Sequence, residues 1–174
     1  MSAVDLRGEV QTPSVLVGEV LSASFDTEFW RLPRRVLEPS CGHGNFVLAC
    51  VELFLTHMPE RPAKFKFIFE NCIVFADLLP SNVAATRRRI EQHAQAGGER
   101  LELCAHTGDS LSWSPSERFD AVVMNPPFQT PKANGARRGG YGGKTLWDKF
   151  VTKALKDWLV PEGTLVCVHP SAWR

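Results

Sequence analysis

Five short apolar runs recur along the chain, and each is followed by a polar or turn-forming segment. They lie at residues 35–37, 73–77, 101–105, 119–124 and 164–168. Apolar residues on consecutive positions are typical of buried strands. Because the runs alternate with helical patterns, the sequence predicts an α/β domain with a doubly wound parallel sheet and right-handed crossovers. The expected strand order is 3-2-1-4-5.

Helical periodicity fills the intervals between these runs. Thr12 is the expected N-cap of the first helix, with Pro13 at its first helical position. The apolar helix positions are Leu16, Val17, Val20 and Leu21; Val47, Leu48, Val51 and Leu55; Val83, the Arg87 stem and Ile90; and Trp147, Phe150, Val151, Ala154, Leu155 and Trp158. Spacing of this kind indicates amphipathic helices that pack on a sheet, so the aromatic residues of the last helix are expected in the core.

The fourth run ends in a rigid elbow, Asn125-Pro126-Pro127-Phe128. The two prolines fix φ at about −65° and cannot continue a central ladder, so the strand must stop and Asn125 must point out of its carboxyl end. In an open α/β sheet, ligands bind at this rim. An amide oxygen, a proline carbonyl and the flat face of Phe128 together suit a planar amine.

The first run leads into a glycine turn at residues 38–46, with the sequence Glu-Pro-Ser-Cys-Gly-His-Gly-Asn-Phe. Gly42 and Gly44 permit positive φ and let the backbone approach a ligand without an intervening Cβ. Val47 stands where the dinucleotide fingerprint requires a third glycine, so a pyrophosphate site is disfavoured. His43 is expected to be a solvated loop residue.

Carboxylates follow the second and third runs. Asp77 ends the second run, where a doubly wound fold places the acid that bonds ribose hydroxyls; an ordinary helix cap is the alternative. Asp109 follows the third run, where a plain turn is the alternative. The helix that begins at Pro80 carries three consecutive arginines, residues 87–89, which are expected to be largely solvated.

Together these motifs resemble those of the S-adenosylmethionine-dependent adenine-N6 methyltransferases that act on nucleic acid, in particular the viral and restriction-associated DNA enzymes. That family's catalytic motif is Asp/Asn/Ser-Pro-Pro-aromatic, and its cofactor turn is Asp/Glu-Pro-x-Cys-Gly-x-Gly-x-Phe. The resemblance implies cofactor contacts from Thr12, Pro13, Glu38, Pro39, Gly42, Gly44, Phe46, Asp77 and Asp109. Thr12 and Pro13 would close over the methionine end, although Gln11 replaces the aromatic residue usual there.

The resemblance also implies a reaction. Asn125, Pro126, Pro127 and Phe128 would form the catalytic site, with Asp77 on the cofactor ribose and Asp109 on its adenine. The Asn125 side chain and the Pro126 carbonyl would accept the two hydrogens of the target amine, and Phe128 would stack on an adenine flipped out of DNA. The alternatives are an RNA adenine, a protein glutamine amide, or a noncatalytic cofactor-binding subunit.

Composition limits where nucleic acid would bind. The 174 residues are 44% hydrophobic and predict one domain, residues 1–174, without a separate target-recognition domain. A formal charge of +1 requires any nucleic-acid surface to be local. The acid-free segment 129–144 provides one through Lys132, Arg137, Arg138 and Lys144, with a flexible connector as the alternative. It is not a Walker loop, because Arg138 stands in place of the earlier glycine.

The remaining sequence features bear on chemistry and location. Five cysteines without Cys-x-x-Cys spacing are expected to be reduced core thiols, and no metal site is predicted. Without a signal region or an apolar run of about 18 residues, a soluble, cytoplasmic protein is expected. The family's sixth and seventh strands and its target-recognition region would follow Arg174. We therefore expect weak or absent activity of this chain alone on duplex DNA, and either a partner that adds strands and base recognition or a chain that is only marginally stable by itself.

Overall fold

The computed structural model describes residues 12–95, 101–128 and 145–169. These residues form a three-layer α/β arrangement with a central sheet. The elements are α1 Ser14–Ser24, α2 Thr27–Arg31, β1 Val36–Glu38, α3 Asn45–His57, α4 Lys64–Asn71, β2 Ile73–Asp77, α5 Pro80–Gln95, β3 Cys104–Thr107, β4 Phe119–Met124, α6 Trp147–Lys153, a π-helical turn Ala154–Trp158, and β5 Leu159–Cys167.

The sheet has the order β3-β2-β1-β4-β5, and its strand pairings are parallel. This confirms the predicted fold class and strand order. Because β1 pairs with β2 on one side and β4 on the other, the chain changes direction across the sheet between β1 and β4. The carboxyl ends of all five strands meet at one rim, and the crevice at such a switch point is where doubly wound folds bind ligands.

The sheet is buried on both faces. Along β4, Ala121 and Val123 pack into the layer formed by helices α1 to α5, whereas Val122 and Met124 pack against the opposite layer. The first layer contains a chain of edge-to-face aromatic contacts in which Trp30 touches Phe54 with ring centroids 4.9 Å apart. Burial on both faces explains why β4 is apolar at consecutive positions rather than at alternate ones.

Two strands differ from the prediction by more than one residue at an end. The third strand is Cys104–Thr107 rather than residues 101–105, because its ladder with β2 runs from Val74 opposite Cys104 to Asp77 opposite Thr107. The fifth strand includes residues 160–163, which were predicted to be a turn. Its register with β4 jumps between Phe119 and Ala121, so these residues form a bulge within the strand, with Glu162 at φ 64°.

The predictions for the helical residues were wrong at several positions. Thr12 does not cap α1; the N-cap is Pro13 and the helix begins at Ser14, while Leu16 is 43% exposed. Leu155 is 60% exposed because α6 continues as a π-helical turn, which changes the angular spacing and turns this residue outward. Phe150 and Trp158 are buried as predicted, whereas Trp147 is only half-buried and stacks on His169.

Three of the five cysteines are core thiols, as predicted, and two are not. Cys41, Cys50 and Cys72 are buried, Cys167 is half-buried and Cys104 is exposed. Burial raises the pKa of Cys72 to about 12 and that of Cys167 to about 11. The position of Cys104 follows from its strand, because β3 lies at the edge of the sheet and alternate side chains leave the core.

Thiol labelling tests this arrangement of cysteines. In the native protein, a thiol-reactive dye at pH 8 is expected to modify Cys104 first, with Cys50 and Cys72 reacting only on unfolding. The Cys104→Ser variant should lose the fast phase, and Cys50→Ser is the matched control that should retain it. Mass spectrometry of the first labelled peptide gives the measurement, and a fast phase at Cys50 or Cys72 would contradict the packing described.

Candidate active site

The glycine turn after β1 is shaped by backbone conformation and by close packing. Gly42 and Gly44 have φ of 50° and 84°, and Gly44 is the residue that precedes helix α3. A Cβ at Gly44 would lie 2.8 Å from Cγ2 of Thr86, so neither the conformation nor the space admits a side chain. Thr86 is fully buried on α5, and its hydroxyl donates to the Gly42 carbonyl at 3.1 Å.

Asp77 lies at the end of β2 and holds the glycine turn. It is 7% exposed; its Oδ2 accepts the Gly42 amide at 2.9 Å, and its Oδ1 accepts the Leu79 amide at 2.9 Å and Nδ2 of Asn82 at 3.1 Å. The carboxylate therefore caps the start of α5 and also supports the turn that precedes α3. Each carboxylate oxygen has two acceptor positions, so Oδ2 retains capacity for a ligand hydroxyl.

Glu38 is a second carboxyl group at this rim. It is 3% exposed, and its Oε1 accepts the Ser40 amide at 3.0 Å and the Ser40 hydroxyl at 3.3 Å. Burial raises the pKa of Glu38 to about 8, and the negative charge of Asp77 adds to this effect. A cation bound beside these two carboxyl groups would favour the ionised form of Glu38.

The elbow after β4 is linked to the segment that leads into α1. Nδ2 of Asn125 donates to Oγ1 of Thr12 at 2.8 Å, and Thr12 is 6% exposed. Pro126 is buried, Pro127 exposed and Phe128 half-buried, and the Phe128 carbonyl accepts the Leu146 amide at 3.1 Å. The elbow thus places an amide, a proline carbonyl and an aromatic ring together at the end of β4.

Asp109 occupies a tight turn beyond β3. Its carboxylate accepts the Leu111 amide at 3.0 Å, and its carbonyl accepts the Ser112 hydroxyl at 2.9 Å. The Gly108 amide donates to the Asp77 carbonyl at 3.0 Å, so this turn is joined to the end of β2. The side chain of Asp109 is exposed, which leaves it accessible at the rim.

The other predicted cofactor residues lie in different surroundings. Pro39 is buried, and its carbonyl accepts the Ser110 hydroxyl at 2.6 Å, which joins the turn after β3 to the glycine turn. Phe46 is 4% exposed and packs in the core layer of helices α1 to α5. Pro13 and His43 are exposed, as expected for His43.

Similarity to known proteins was found in sequence and in structure, although no protein-family model matches the sequence. Over 96 residues, 55% of this chain, it is 31% identical to the tRNA1(Val) (adenine(37)-N6)-methyltransferase of Vibrio cholerae. Over 98 residues, 56% of this chain, it is 24% identical to the type II methyltransferase M.CvrRI of Paramecium bursaria Chlorella virus XZ-6E. The matched segments span 32% and 19% of those relatives, respectively.

Solved structures share the fold over nearly the whole chain. The DrdV–DNA complex superposes with a TM-score of 0.69 at 17% identity, covering 98% of this chain and 21% of that one. A modification subunit of a putative type I restriction enzyme from Vibrio vulnificus gives 0.64 at 19% identity, covering 93% and 34%. A putative class I S-adenosylmethionine-dependent methyltransferase from Listeria monocytogenes gives 0.62 at 15% identity, covering 96% and 48%.

The fold is that of the class I S-adenosylmethionine-dependent methyltransferases. The resemblance to adenine-N6 methyltransferases that the motifs indicated is also confirmed, since the sequence relatives include a tRNA adenine-N6 methyltransferase. The roles of the individual site residues remain predictions, which the geometry above supports.

Several residues that build this candidate site were not predicted from the sequence. Asn45 donates to the Thr12 carbonyl at 2.7 Å, and Arg89 donates to Oδ1 of Asn45 at 2.8 Å and to the His43 carbonyl. Thr86 and Ser110 fix the two loops described above. Asn45 directly follows the second glycine, which was a possible signal, but the partner of Arg89 lies 44 residues away and no local pattern indicates it.

Some sequence predictions fall outside the described residues or concern absences within them. Lys132, Arg137, Arg138 and Lys144 lie outside the described residues. In the part of the chain that the structure describes, no group of three or more His, Cys, Asp or Glu side chains is arranged to hold a metal ion. Across residues 12–95, 101–128 and 145–169, no helix is long and apolar enough to cross a membrane.

The shifted pKa of Glu38 predicts how stability depends on pH. The folded-state pKa of about 8 exceeds the ordinary value of 4.5, so the folded protein binds the extra proton between these values. The free energy of unfolding should therefore fall as pH rises across this window, by up to about 1.4 kcal/mol per pH unit from this group. Glu38→Gln should flatten the slope measured by urea unfolding between pH 5 and 8; Glu52→Gln on α3 serves as the control. Equal slopes for wild type and Glu38→Gln would contradict the assignment.

Proposed function

We propose that this chain binds S-adenosylmethionine at the rim of the sheet and transfers its methyl group to the exocyclic N6 amine of an adenine in DNA. The observation that carries the proposal is the elbow of Asn125, Pro126, Pro127 and Phe128. It stands at the end of β4, next to the β1 glycine turn, and its amide is held by Thr12.

The rim residues fit a cationic cofactor. Two buried carboxyl groups, Glu38 and Asp77, lie at the ends of adjacent strands, and a sulfonium group would offset the cost of ionising both of them. Gly42 and Gly44 keep Cβ atoms away from the bound molecule. Asp77 would accept a ribose hydroxyl and Asp109 the adenine amine, as the resemblance implies. Bound here, the cofactor supplies an electrophilic methyl group.

The elbow would prepare the target nitrogen for attack. The lone pair of an adenine amine is delocalised into the ring, which makes it a poor nucleophile. Hydrogen bonds from its two hydrogens to Oδ1 of Asn125 and to the Pro126 carbonyl would move the nitrogen toward tetrahedral geometry and localise that lone pair. Phe128 would stack on the extruded base, offsetting an unstacking cost of a few kcal/mol. As the N–C bond forms, the methyl C–S bond would break to leave a neutral thioether, and the surplus proton on the methylated amine would pass to solvent, so no general base with a shifted pKa is needed among these groups.

DNA is the substrate that we propose, and an adenine in RNA is the second candidate. The DNA proposal is supported by similarity to a type II methyltransferase of a virus and by the fold shared with a restriction-modification subunit and the DrdV–DNA complex. The RNA candidate is supported by the 31% identity to a tRNA adenine methyltransferase. In either case, the cations of segment 129–144 would contact phosphates, and a protein partner would supply base recognition.

Transfer of a tritiated methyl group to matched DNA, RNA and glutamine-containing peptide substrates separates these possibilities.

The cofactor proposal predicts the effect of removing the Asp77 carboxylate. Asp77→Ala should weaken cofactor binding by about 1 to 3 kcal/mol, because the ribose hydroxyls and the Gly42 amide would lose an acceptor. Isothermal titration calorimetry with S-adenosylhomocysteine gives the measurement, and Asp157→Ala on the π-helical turn is an exposed control. Unchanged affinity in Asp77→Ala would remove Asp77 from the cofactor site, and no binding by wild type at millimolar cofactor would overturn the proposal.

The catalytic proposal predicts a different response at the elbow. Asn125→Ala should lower the rate of methyl transfer by roughly 10² or more and leave cofactor affinity nearly unchanged, since the amide acts most strongly in the transition state. Single-turnover transfer at saturating cofactor measures this rate. A matching loss of cofactor affinity would instead place Asn125 in the cofactor site.

A further inference from the structure

We infer that Thr12 is a positioning residue for Asn125, and that Asn45 and Arg89 hold Thr12 in place. The inference rests on the proposed function, because it concerns the orientation of the amide that would meet the substrate amine. Its basis is a continuous chain of hydrogen bonds from helix α5, through the start of α3, to the elbow after β4.

The first link fixes the amide of the elbow. Nδ2 of Asn125 donates to Oγ1 of Thr12 at 2.8 Å, which directs Oδ1 away from Thr12. A substrate amine presents only hydrogens toward an in-plane acceptor, so the amide must meet it through Oδ1 and not through Nδ2. With Thr12 as acceptor for Nδ2, the orientation that turns Oδ1 toward the substrate is also the one in which an Nδ2 hydrogen is bonded to Thr12.

The second link fixes Thr12. Its carbonyl accepts Nδ2 of Asn45 at 2.7 Å, and Oδ1 of Asn45 accepts Arg89 at 2.8 Å. Arg89 can only donate, so it sets the orientation of the Asn45 amide and turns Nδ2 toward Thr12. The same guanidinium donates to the His43 carbonyl within the glycine turn. Arg89 therefore orients the amide of Asn45, which holds Thr12, and Thr12 in turn orients the amide of Asn125.

This chain of bonds also joins two proposed functions. Thr12 and Pro13 are the residues expected to close over the methionine end of the cofactor, and Thr12 is 6% exposed between α3 and the elbow. Displacement of Thr12 would change the amide that receives the substrate.

The test uses Thr12→Val, which preserves the shape of the side chain and removes the acceptor. At saturating cofactor, kcat should fall by roughly 3- to 10-fold, the loss expected for one hydrogen bond of ordinary net strength. Thr12→Ser should restore most of the rate. The same comparison is then made with Asn125→Asp, which the family motif admits and whose two oxygens both accept. In the Asn125→Asp background, the loss of kcat caused by Thr12→Val should shrink to about twofold or less. A carboxylate presents an acceptor oxygen in either orientation, so Thr12 is no longer needed to orient it.

A matched pair of arginine variants tests the far end of the chain. Arg89→Met should lower kcat by about two- to threefold. Arg88→Met is its control, because Arg88 is exposed and makes no hydrogen bond within the described residues. Thermal unfolding and cofactor titration of each variant separate these effects from loss of folding or of cofactor affinity.

The outcomes distinguish this inference from the proposed function. A wild-type protein that binds cofactor but methylates no substrate, even with a partner protein, would overturn the proposed function. With an active wild type, an unchanged kcat in Thr12→Val would overturn the inference, as would equal losses in the Asn125 and Asn125→Asp backgrounds. If Asn125→Asp has no measurable rate, two other results decide the matter. The inference is overturned if Thr12→Ser fails to restore activity. It is also overturned if Arg89→Met and Arg88→Met have equal rates.

Discussion

The carboxylate of Asp77 joins the parts on which the rest of the site depends. One oxygen accepts the Gly42 amide, and the other accepts the Leu79 amide and Asn82, so β2, the glycine turn and the start of α5 are held to one group. The position of α5 then determines where Thr86 closes on Gly44 and where Arg89 meets Asn45. The helix-cap role and the proposed ligand role of Asp77 are therefore compatible, because a structural carboxylate that keeps one acceptor position is already fixed for a ligand.

Electrostatics at the rim favour a bound cation. Glu38 and Asp77 are both buried at the ends of neighbouring parallel strands, and burial of two carboxyl groups without a cation is unfavourable. The raised pKa of Glu38 shows one way in which the fold reduces this cost, by keeping a proton on one of the two groups. A sulfonium cofactor would provide the other way. The burial of Glu38 beside Asp77, which reduces the stability of the fold near neutral pH, would therefore contribute to cofactor binding.

The sequence predicted the sheet well because its strands are buried on both faces, and consecutive apolar residues record that burial directly. The elbow and the glycine turn were predictable for a similar reason, since proline and glycine restrict the local backbone whatever surrounds it. Thr12 was assigned to the wrong role because capping propensity is local, whereas its bond to Asn125 spans 113 residues. The predicted burial of Leu155 and Cys104 was wrong for reasons of register. A π-helical turn changes the face that Leu155 occupies, and a shifted strand start changes the face that Cys104 occupies.

The proposed catalytic groups would recognise an amine rather than a nucleic acid as a whole. An amide oxygen, a proline carbonyl and a phenyl face are neutral, and they fit the planar amine of adenine equally well whether it comes from DNA or RNA. Discrimination between these substrates must therefore arise from contacts to sugar, phosphate and neighbouring bases, which lie away from the elbow. Similarity to a type II methyltransferase and to a tRNA adenine-N6 methyltransferase is consistent with this division. The rim would determine the reaction, and contacts outside it would determine the substrate.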